Sequence, residues 1–205
     1  MPNSRKLKVA ILGSGNIGTD LLMKILRSEL MDCSIFIGRN LSSPGMKKAN
    51  SHNVTISDQG IDAIISNPEI CDLVFDATTA ASHNIHAPIF RELGIKAIDM
   101  TPSQFGKICV PAINGKECLK FDNINMITCG GQASTPLAYT LMKNVPDIEY
   151  IETVSSIASR SAGPGTRANI DEYIENTEKG ISELTGCKHV KAILNLNPAI
   201  PCIDM

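Results

Sequence analysis

Apolar residues recur through the first half of the chain in short dense runs, each followed by small or polar residues and then by a helical spacing. Leu7 to Leu12 is a near-continuous apolar run, as expected of a strand buried on both faces of a parallel sheet. After it, Ile17, Leu21, Leu22, Ile25, Leu26 and Leu30 recur at helical spacing and predict a helix with one buried face. Ser34 to Ile37 predicts a second strand, Met46 to Asn50 a short helix and Val54 to Ile56 a third strand. Ile61 to Ser66 predicts a helix stopped by Asn67-Pro68. Further strands are expected at Leu73 to Phe75 and at Ala97 to Met100, the latter closed by Thr101-Pro102, and Val110 to Asn114 reads as an extended crossing. Repeated strand–helix alternation argues for an α/β, Rossmann-type dinucleotide-binding domain over residues 1–128.

The pattern then changes. A short apolar run, Ile124 to Ile127 broken by Asn125, leads to Thr128-Cys129-Gly130-Gly131-Gln132, where two glycines are expected to let the backbone turn. Thr135-Pro136 is expected to open a helix through Val145, with proline at the first helical position. Glu149 to Ser159 is long, β-branched and partly alternating, which predicts a half-buried antiparallel strand and a second, α+β domain over residues 129–205. Asn169 with Glu172 resembles a capping box, and Ile170, Ile174, Ile181 and Leu184 supply the buried face of the helix it would start. Lys191 to Leu196 predicts a last strand, from which Asn197-Pro198-Ala199-Ile200-Pro201 leads to Met205.

Composition narrows the classes. With 205 residues, 43% hydrophobic, 20% charged and a net charge of −2, the chain suits one or two globular domains and offers no basic surface for nucleic acid. The N-terminal apolar run stops at Gly13, too short for a signal-peptide core or a membrane span, and a cytoplasmic location is expected. Seven cysteines without a CxxC or paired metal spacing read mostly as buried small hydrophobes in a reducing compartment. His83 and His86 stand three apart with no third ligand in view. They read as solvent-facing helix residues or packing partners, and no metal site is expected.

Three segments carry candidate chemistry. Gly13-Ser14-Gly15-Asn16-Ile17-Gly18 is a G-x-G-x-x-G between a predicted strand and a predicted helix, the context in which such a turn cradles a pyrophosphate on a helix N-terminus. About 20 residues on, where NAD-binding folds usually present an acid to the ribose, stands Arg39. It would stack on adenine, meet a 2′-phosphate or simply be solvated, so NAD is favoured and NADP stays open. Thr78, beyond the fourth strand, is expected to line the same crevice. Cys129 would lie just ahead of a helix N-terminus, where free N–H groups and the helix dipole favour a thiolate and a developing oxyanion. Ser161-Ala162-Gly163-Pro164-Gly165-Thr166-Arg167-Ala168-Asn169, preceded by Arg160, reads either as a clamp on an anion or carboxamide or as a connecting loop.

Gly13 to Asp20, Asp76-Ala77-Thr78, Thr128 to Ala133 and Ser161 to Glu172, in that order and in register over essentially the whole chain, resemble the acylating acetaldehyde dehydrogenases. The resemblance implies an N-terminal NAD domain joined to a catalytic and dimerisation domain of the glyceraldehyde-phosphate dehydrogenase type. It implies oxidation of acetaldehyde with NAD and CoA to acetyl-CoA and NADH, in aromatic-hydrocarbon catabolism, often with a 4-hydroxy-2-oxovalerate aldolase that passes the aldehyde across. On that resemblance Cys129 matches the acyl-thioester cysteine, Ser14 to Ile17 the turn on the pyrophosphate, and Ser161 to Asn169 a second segment touching the cofactor. Gln132 and nearby backbone N–H groups are candidates to polarise the aldehyde oxygen, Gln132 being equally suited to a structural cap.

Two departures from the family pattern stand out. Arg39 replaces the acid of many relatives. The family's chains also run past this point, adding sheet strands, a returning C-terminal helix and an asparagine that contacts the cofactor. A chain ending at Met205 would expose sheet edges and apolar surface, with poor solubility, forced association or little activity expected, and a homodimer expected only if the catalytic domain is complete. The competing expectations are a phosphorylating semialdehyde dehydrogenase and a catalytically silent dinucleotide-binding or interaction protein.

Overall fold

The structure is a computed structural model that describes residues 5–198; the chain exit over residues 199–205, with Cys202, lies outside them. The chain divides into two compact units, residues 1–100 and 101–205.

In the first unit β1 (Leu7–Leu12) pairs in parallel with both β2 (Met31–Ile37) and β4 (Leu73–Asp76). β3 (Ile56–Ser57) pairs with β2 and β5 (Lys96–Asp99) with β4, so the strands of this unit run in the order β3-β2-β1-β4-β5. Helices α1 (Asn16–Ile25), α2 (Pro44–Ser51), α3 (Asp62–Ile65) and α4 (Ala80–Glu92) fill the connections. The apolar run of β1 is buried on both faces, because side chains alternate across a pleated strand. Val9 and Ile11 pack with Leu22, Ile25, Phe36 and Met46, whereas Ala10 and Leu12 pack with Ile35, Ile37, Val74 and Ala97. Each fully buried Ile, Leu or Phe contributes about 1.5–3 kcal/mol, so a polar residue at any of these positions would unseat the sheet.

Two details of α1 differ from the sequence pattern. The helix ends at Ile25, and its buried positions are Gly18, Leu22 and Ile25, while Ile17, Leu26 and Leu30 are exposed. A closely packed glycine takes the place on the buried face that hydrophobicity assigned to Ile17.

The second unit holds the parallel pair β6 (Lys107–Ile108) and β7 (Asn123–Asn125), with α5 (Pro111–Cys118) between them. The expected extended crossing at residues 110–114 is therefore the start of a helix. Val110 is its extended N-cap, Pro111 takes the first position, and the Asn114 side chain accepts from Val110 N at 2.9 Å and donates to Ile108 O at 2.9 Å. Next come α6 (Cys129–Asn144), β8 (Tyr150–Ala158), α7 (Pro164–Ala168), α8 (Ile170–Thr185) and β9 (His189–Asn197). β8 and β9 pair in parallel, not antiparallel as expected. Alternation reports only that one face is buried; direction is set by the connection, and α7 with α8 form a crossover long enough to bring the chain back in the same sense.

Residues 101–128, which the sequence pattern joins to the first domain, cluster with the second unit. Asn176 of α8 donates to Ile127 O and to Asn125 Oδ1, both at 3.1 Å, and Gln132 of α6 donates to Cys109 O at 2.7 Å. Among the described residues no helix is long and apolar enough to cross a membrane.

Candidate active site

In the first unit the glycine turn follows β1 as expected. Gly13 adopts φ +118, which glycine tolerates, and any Cβ there would collide with Ala77 O; a Cβ at Gly18 would collide with Gly13 O. Gly15 meets nothing within 4 Å, so the middle of the turn faces open space at the N-terminus of α1, as a bound pyrophosphate requires. Asn16 is exposed, and Ile17 is 53% exposed beside it. Ser14 Oγ lies 3.4 Å from Ser43 Oγ, the N-cap of α2, which places the segment after β2 against the turn. Arg39 follows directly on buried Gly38, is exposed, and has no ion pair among the described residues.

Thr78 lies behind Gly13. Its N–H and Oγ1 donate to Asp76 Oδ1 at 3.1 and 2.5 Å. Asp76, at the end of β4, also accepts from His83 Nδ1 at 2.9 Å and His86 Nδ1 at 2.8 Å, both on α4. His83 is fully buried and His86 largely so, which excludes the solvent-facing alternative and leaves them as hydrogen-bonded packing partners. Burial by itself would raise the Asp76 carboxyl, but the donors from His83, His86 and Thr78 outweigh it and hold it well below the usual carboxylate range. A carboxyl depressed in the folded state contributes stability above its unfolded value, near 3.8, and loses it as pH falls. Resistance to urea is therefore expected to fall steeply below about pH 4 in the parent chain. Asp76→Asn should cost about 3 kcal/mol at neutral pH and flatten that acid limb; an unchanged limb would place the responsible charge elsewhere.

In the second unit the turn ahead of Cys129 is not made by glycines. Ile127 carries it, buried and at φ +57, a left-handed conformation that costs a β-branched residue about 1–2 kcal/mol. Asn125 and Asn176 hold it there: Ile127 N donates to Asn125 Oδ1 at 2.9 Å, and Ile127 O accepts from Asn176. Thr128 is the N-cap, its Oγ1 accepting from Gly131 N at 2.9 Å. The helix thus begins at Cys129, with Pro136 well inside it and not at its first position. Threonine's side-chain cap decides the start ahead of the later proline.

Cys129 is exposed, whereas Cys33, Cys71, Cys109, Cys118 and Cys187 are buried. Burial pushes the thiols of Cys33 and Cys109 up to about 12 and that of Cys71 to about 11, so they stay protonated at neutral pH. In the first turn of α6, Gly131 N is taken by Thr128 Oγ1 and Gly130 N by Tyr173 Oη at 2.9 Å. Cys129's own N–H is the first-turn donor without a partner among the described residues, beside its own sulfur and at the positive end of the dipole. Gln132 donates from Nε2 to Cys109 O and to Met126 O at 2.7 and 2.9 Å. Both of its amide hydrogens are committed to the backbone, the structural one of its two expected roles.

In the segment at residues 161–169 a turn ending at Ser161 leads into the short helix α7, which takes up Pro164–Ala168. Arg167 donates from Nε to Ala162 O at 3.0 Å and from Nη2 to Ser159 O and Oγ at 3.0 and 2.9 Å, so it fastens the loop to itself. Asn169 donates to Gly165 O at 2.6 Å and does not cap α8 with its side chain. Ser161, Pro164 and Gly165 are exposed, as is Ala168, while Ala162 is buried and Gly163 and Thr166 half-buried. The buried positions of α8 are Tyr173, Asn176, Thr177, Gly180 and Ile181. Of the apolar face expected there, Ile181 is fully buried, whereas Ile170, Ile174 and Leu184 are half-buried. Tyr173 and Asn176 are functional candidates that sequence reading missed; polar residues at helical spacing on the inner side of α8 were the available signal.

The parallel strands of the first unit and the glycine turn after β1 form a Rossmann-type dinucleotide-binding fold, and in the second unit Cys129 is the exposed cysteine among the described residues. The family model described as "Semialdehyde dehydrogenase, NAD binding domain" matches residues 8–119, and "Prokaryotic acetaldehyde dehydrogenase, dimerisation" matches residues 129–205. The chain belongs to the acetaldehyde dehydrogenase family. It is 58% identical over 202 residues to an acetaldehyde dehydrogenase of Spirochaeta aurantia, covering 98% of this chain and 68% of that one. It is 56% identical over 204 residues to that of Pectobacterium atrosepticum, covering 98% and 69%. Similar solved structures include aspartate semialdehyde dehydrogenase II of Vibrio cholerae (TM-score 0.61, 15% identity, 98% of this chain and 69% of that one). Another is aspartate semialdehyde dehydrogenase with NADP from Candida albicans (TM-score 0.63, 14% identity, 94% and 69%); at these identities both speak for the fold alone.

Proposed function

We propose that this chain oxidises acetaldehyde or a similarly short aldehyde to its CoA thioester through Cys129, with NAD as hydride acceptor. The observation that carries the reading is the setting of Cys129: the exposed cysteine of the described set, at the first position of α6 with an unpartnered N–H beside its sulfur. As thiolate, Cys129 adds to the carbonyl carbon and forms a hemithioacetal, whose oxyanion the Cys129 N–H and the dipole of α6 would hold. NAD held with its pyrophosphate on the glycine turn would supply the oxidising equivalent, as acceptor of the hydride that leaves that carbon. The product on Cys129 is a thioester; the CoA thiol attacks it, the acyl group moves to CoA, and the Cys129 thiolate is released.

Ser14, Gly15, Asn16 and Ile17 would contact the pyrophosphate side of the cofactor, with Gly13 and Gly18 shaping the turn and Thr78 behind it. Arg39 would meet the adenosine end, where its free guanidinium also suits a 2′-phosphate. Ser161 to Asn169 would be a second cofactor-contacting segment, though not through Arg167, whose guanidinium is bonded within the loop. Assembly as a homodimer, a cytoplasmic setting and an aldolase that supplies the aldehyde in aromatic-hydrocarbon catabolism complete the proposal, the first supported by the dimerisation model matched at residues 129–205.

The test is NADH formation from acetaldehyde with CoA, with inorganic phosphate and with neither, each run with NAD and with NADP. CoA-dependent turnover is expected. Turnover that needs phosphate would replace the reading with a phosphorylating dehydrogenase, and dinucleotide binding without turnover would reduce the chain to a binding protein.

A further inference from the structure

The first turn of α6 is bonded to α8 through one phenol. Gly130 N donates to Tyr173 Oη at 2.9 Å, which occupies a lone pair of the phenol oxygen and leaves the Oη–H to seek an acceptor elsewhere. Cys129 Sγ lies 3.8 Å from the same oxygen, within reach of a sulfur acceptor, and such contacts tighten once the nucleophile is charged. Glycine at position 130 makes this possible, since a Cβ there would collide with Tyr173 Oη and lie 2.6 Å from Ser155 Oγ.

The ring is not free to leave. Tyr173 is 6% exposed. Thr177 Oγ1 donates to Tyr173 O at 2.7 Å and lies 2.7 Å from Thr128 Oγ1, the same oxygen that caps α6. The cap of α6 and the helix that carries the phenol are therefore joined by hydrogen bonds. Burial first, and then the neighbouring Cys129, push the phenol up to about 12, so it is a donor throughout the neutral range.

We propose that Tyr173 is a second catalytic residue of this site, its phenol O–H donating to the Cys129 sulfur and holding the thiolate in place for attack and again when it leaves the thioester. This inference rests on Cys129 being the nucleophile of the proposed reaction, but it is tested without aldehyde, NAD or CoA. The experiment is the pH dependence of Cys129 alkylation by iodoacetamide, followed by peptide mass, with Cys129→Ala to assign the site. In Tyr173→Phe, which keeps the ring, the midpoint should move up by about one pH unit, with alkylation at neutral pH about tenfold slower. An unmoved profile overturns the proposal. Should Tyr173→Phe fold poorly, the parent chain with its three tyrosines replaced by 3-fluorotyrosine serves instead. A more acidic phenol is a stronger donor, so the midpoint should move down, and no movement again overturns the pairing. A shifted midpoint in a chain without acetaldehyde turnover keeps the pair and sinks the reaction; turnover with an unmoved midpoint does the reverse.

Discussion

Replacing Cys129 by alanine is expected to lower acetaldehyde-dependent NADH formation by on the order of 10⁴-fold or more, because the proposed reaction would lose the atom on which both tetrahedral intermediates form. Stability should move by no more than about 0.5 kcal/mol, since the residue is exposed. NAD affinity should match the parent, because the residues proposed to hold the pyrophosphate are unchanged. Cys129→Ser is the sharper control: it keeps the shape and a nucleophile, but an alkoxide is harder to form and an ester gives its acyl group less readily to CoA than a thioester does. Retained turnover in Cys129→Ala would refute the assignment. None of the other five cysteines described could stand in without unpacking, as all are buried.

The second large effect separates two glycines of one motif. In Gly18→Ala the new methyl meets Gly13 O, a backbone atom with nowhere to go, and the turn and α1 must part. A loss of about 3 kcal/mol is expected from overpacking alone, with NAD binding lost alongside it. In Gly15→Ala nothing lies within 4 Å of the added carbon, so the fold should pay at most about 1 kcal/mol, the difference between glycine and alanine as an N-cap. Yet that carbon stands in the space a pyrophosphate must enter, and NAD affinity should fall about tenfold or more, equivalent to about 1.4 kcal/mol. Urea denaturation and calorimetric titration with NAD separate the two outcomes. A Gly15→Ala chain that binds NAD like the parent would remove the turn from the cofactor site.

Much of the first unit was legible because its information is local. The apolar run of β1, the glycine turn and the start of α1 lie within about twenty residues, and a strand buried on both faces has little choice of environment. Errors there concerned edges: Ile17, Leu26 and Leu30 continue the helical spacing but lie on no buried face. The second unit was less legible. Cys129 stands out from its neighbours, but the glycines beside it suggest a turn, whereas Gly130 makes room for Tyr173 of α8 and Ser155 of β8, and Gly131 for Ile127 and Thr128. Gln132 carried equal claims to substrate and to structure until Cys109 O and Met126 O were found on its amide. Arg167 looked free for an anion until Ser159 and Ala162 were seen to occupy it.

By itself, the order of residues determined that a parallel sheet begins the chain, that a dinucleotide-type turn follows its first strand, and that one cysteine lies near a helix N-terminus. These are matters of periodicity and of contacts between near neighbours, which chain connectivity enforces. Only the tertiary structure decided that β8 and β9 run parallel, that Ile127 is held in a left-handed conformation by Asn125 and Asn176, and that a phenol 44 residues away reaches the cysteine. The reason is energetic. A strained backbone angle or a long-range hydrogen bond persists only where packing from distant segments supplies the free energy to hold it, and no local spacing records which segments those are.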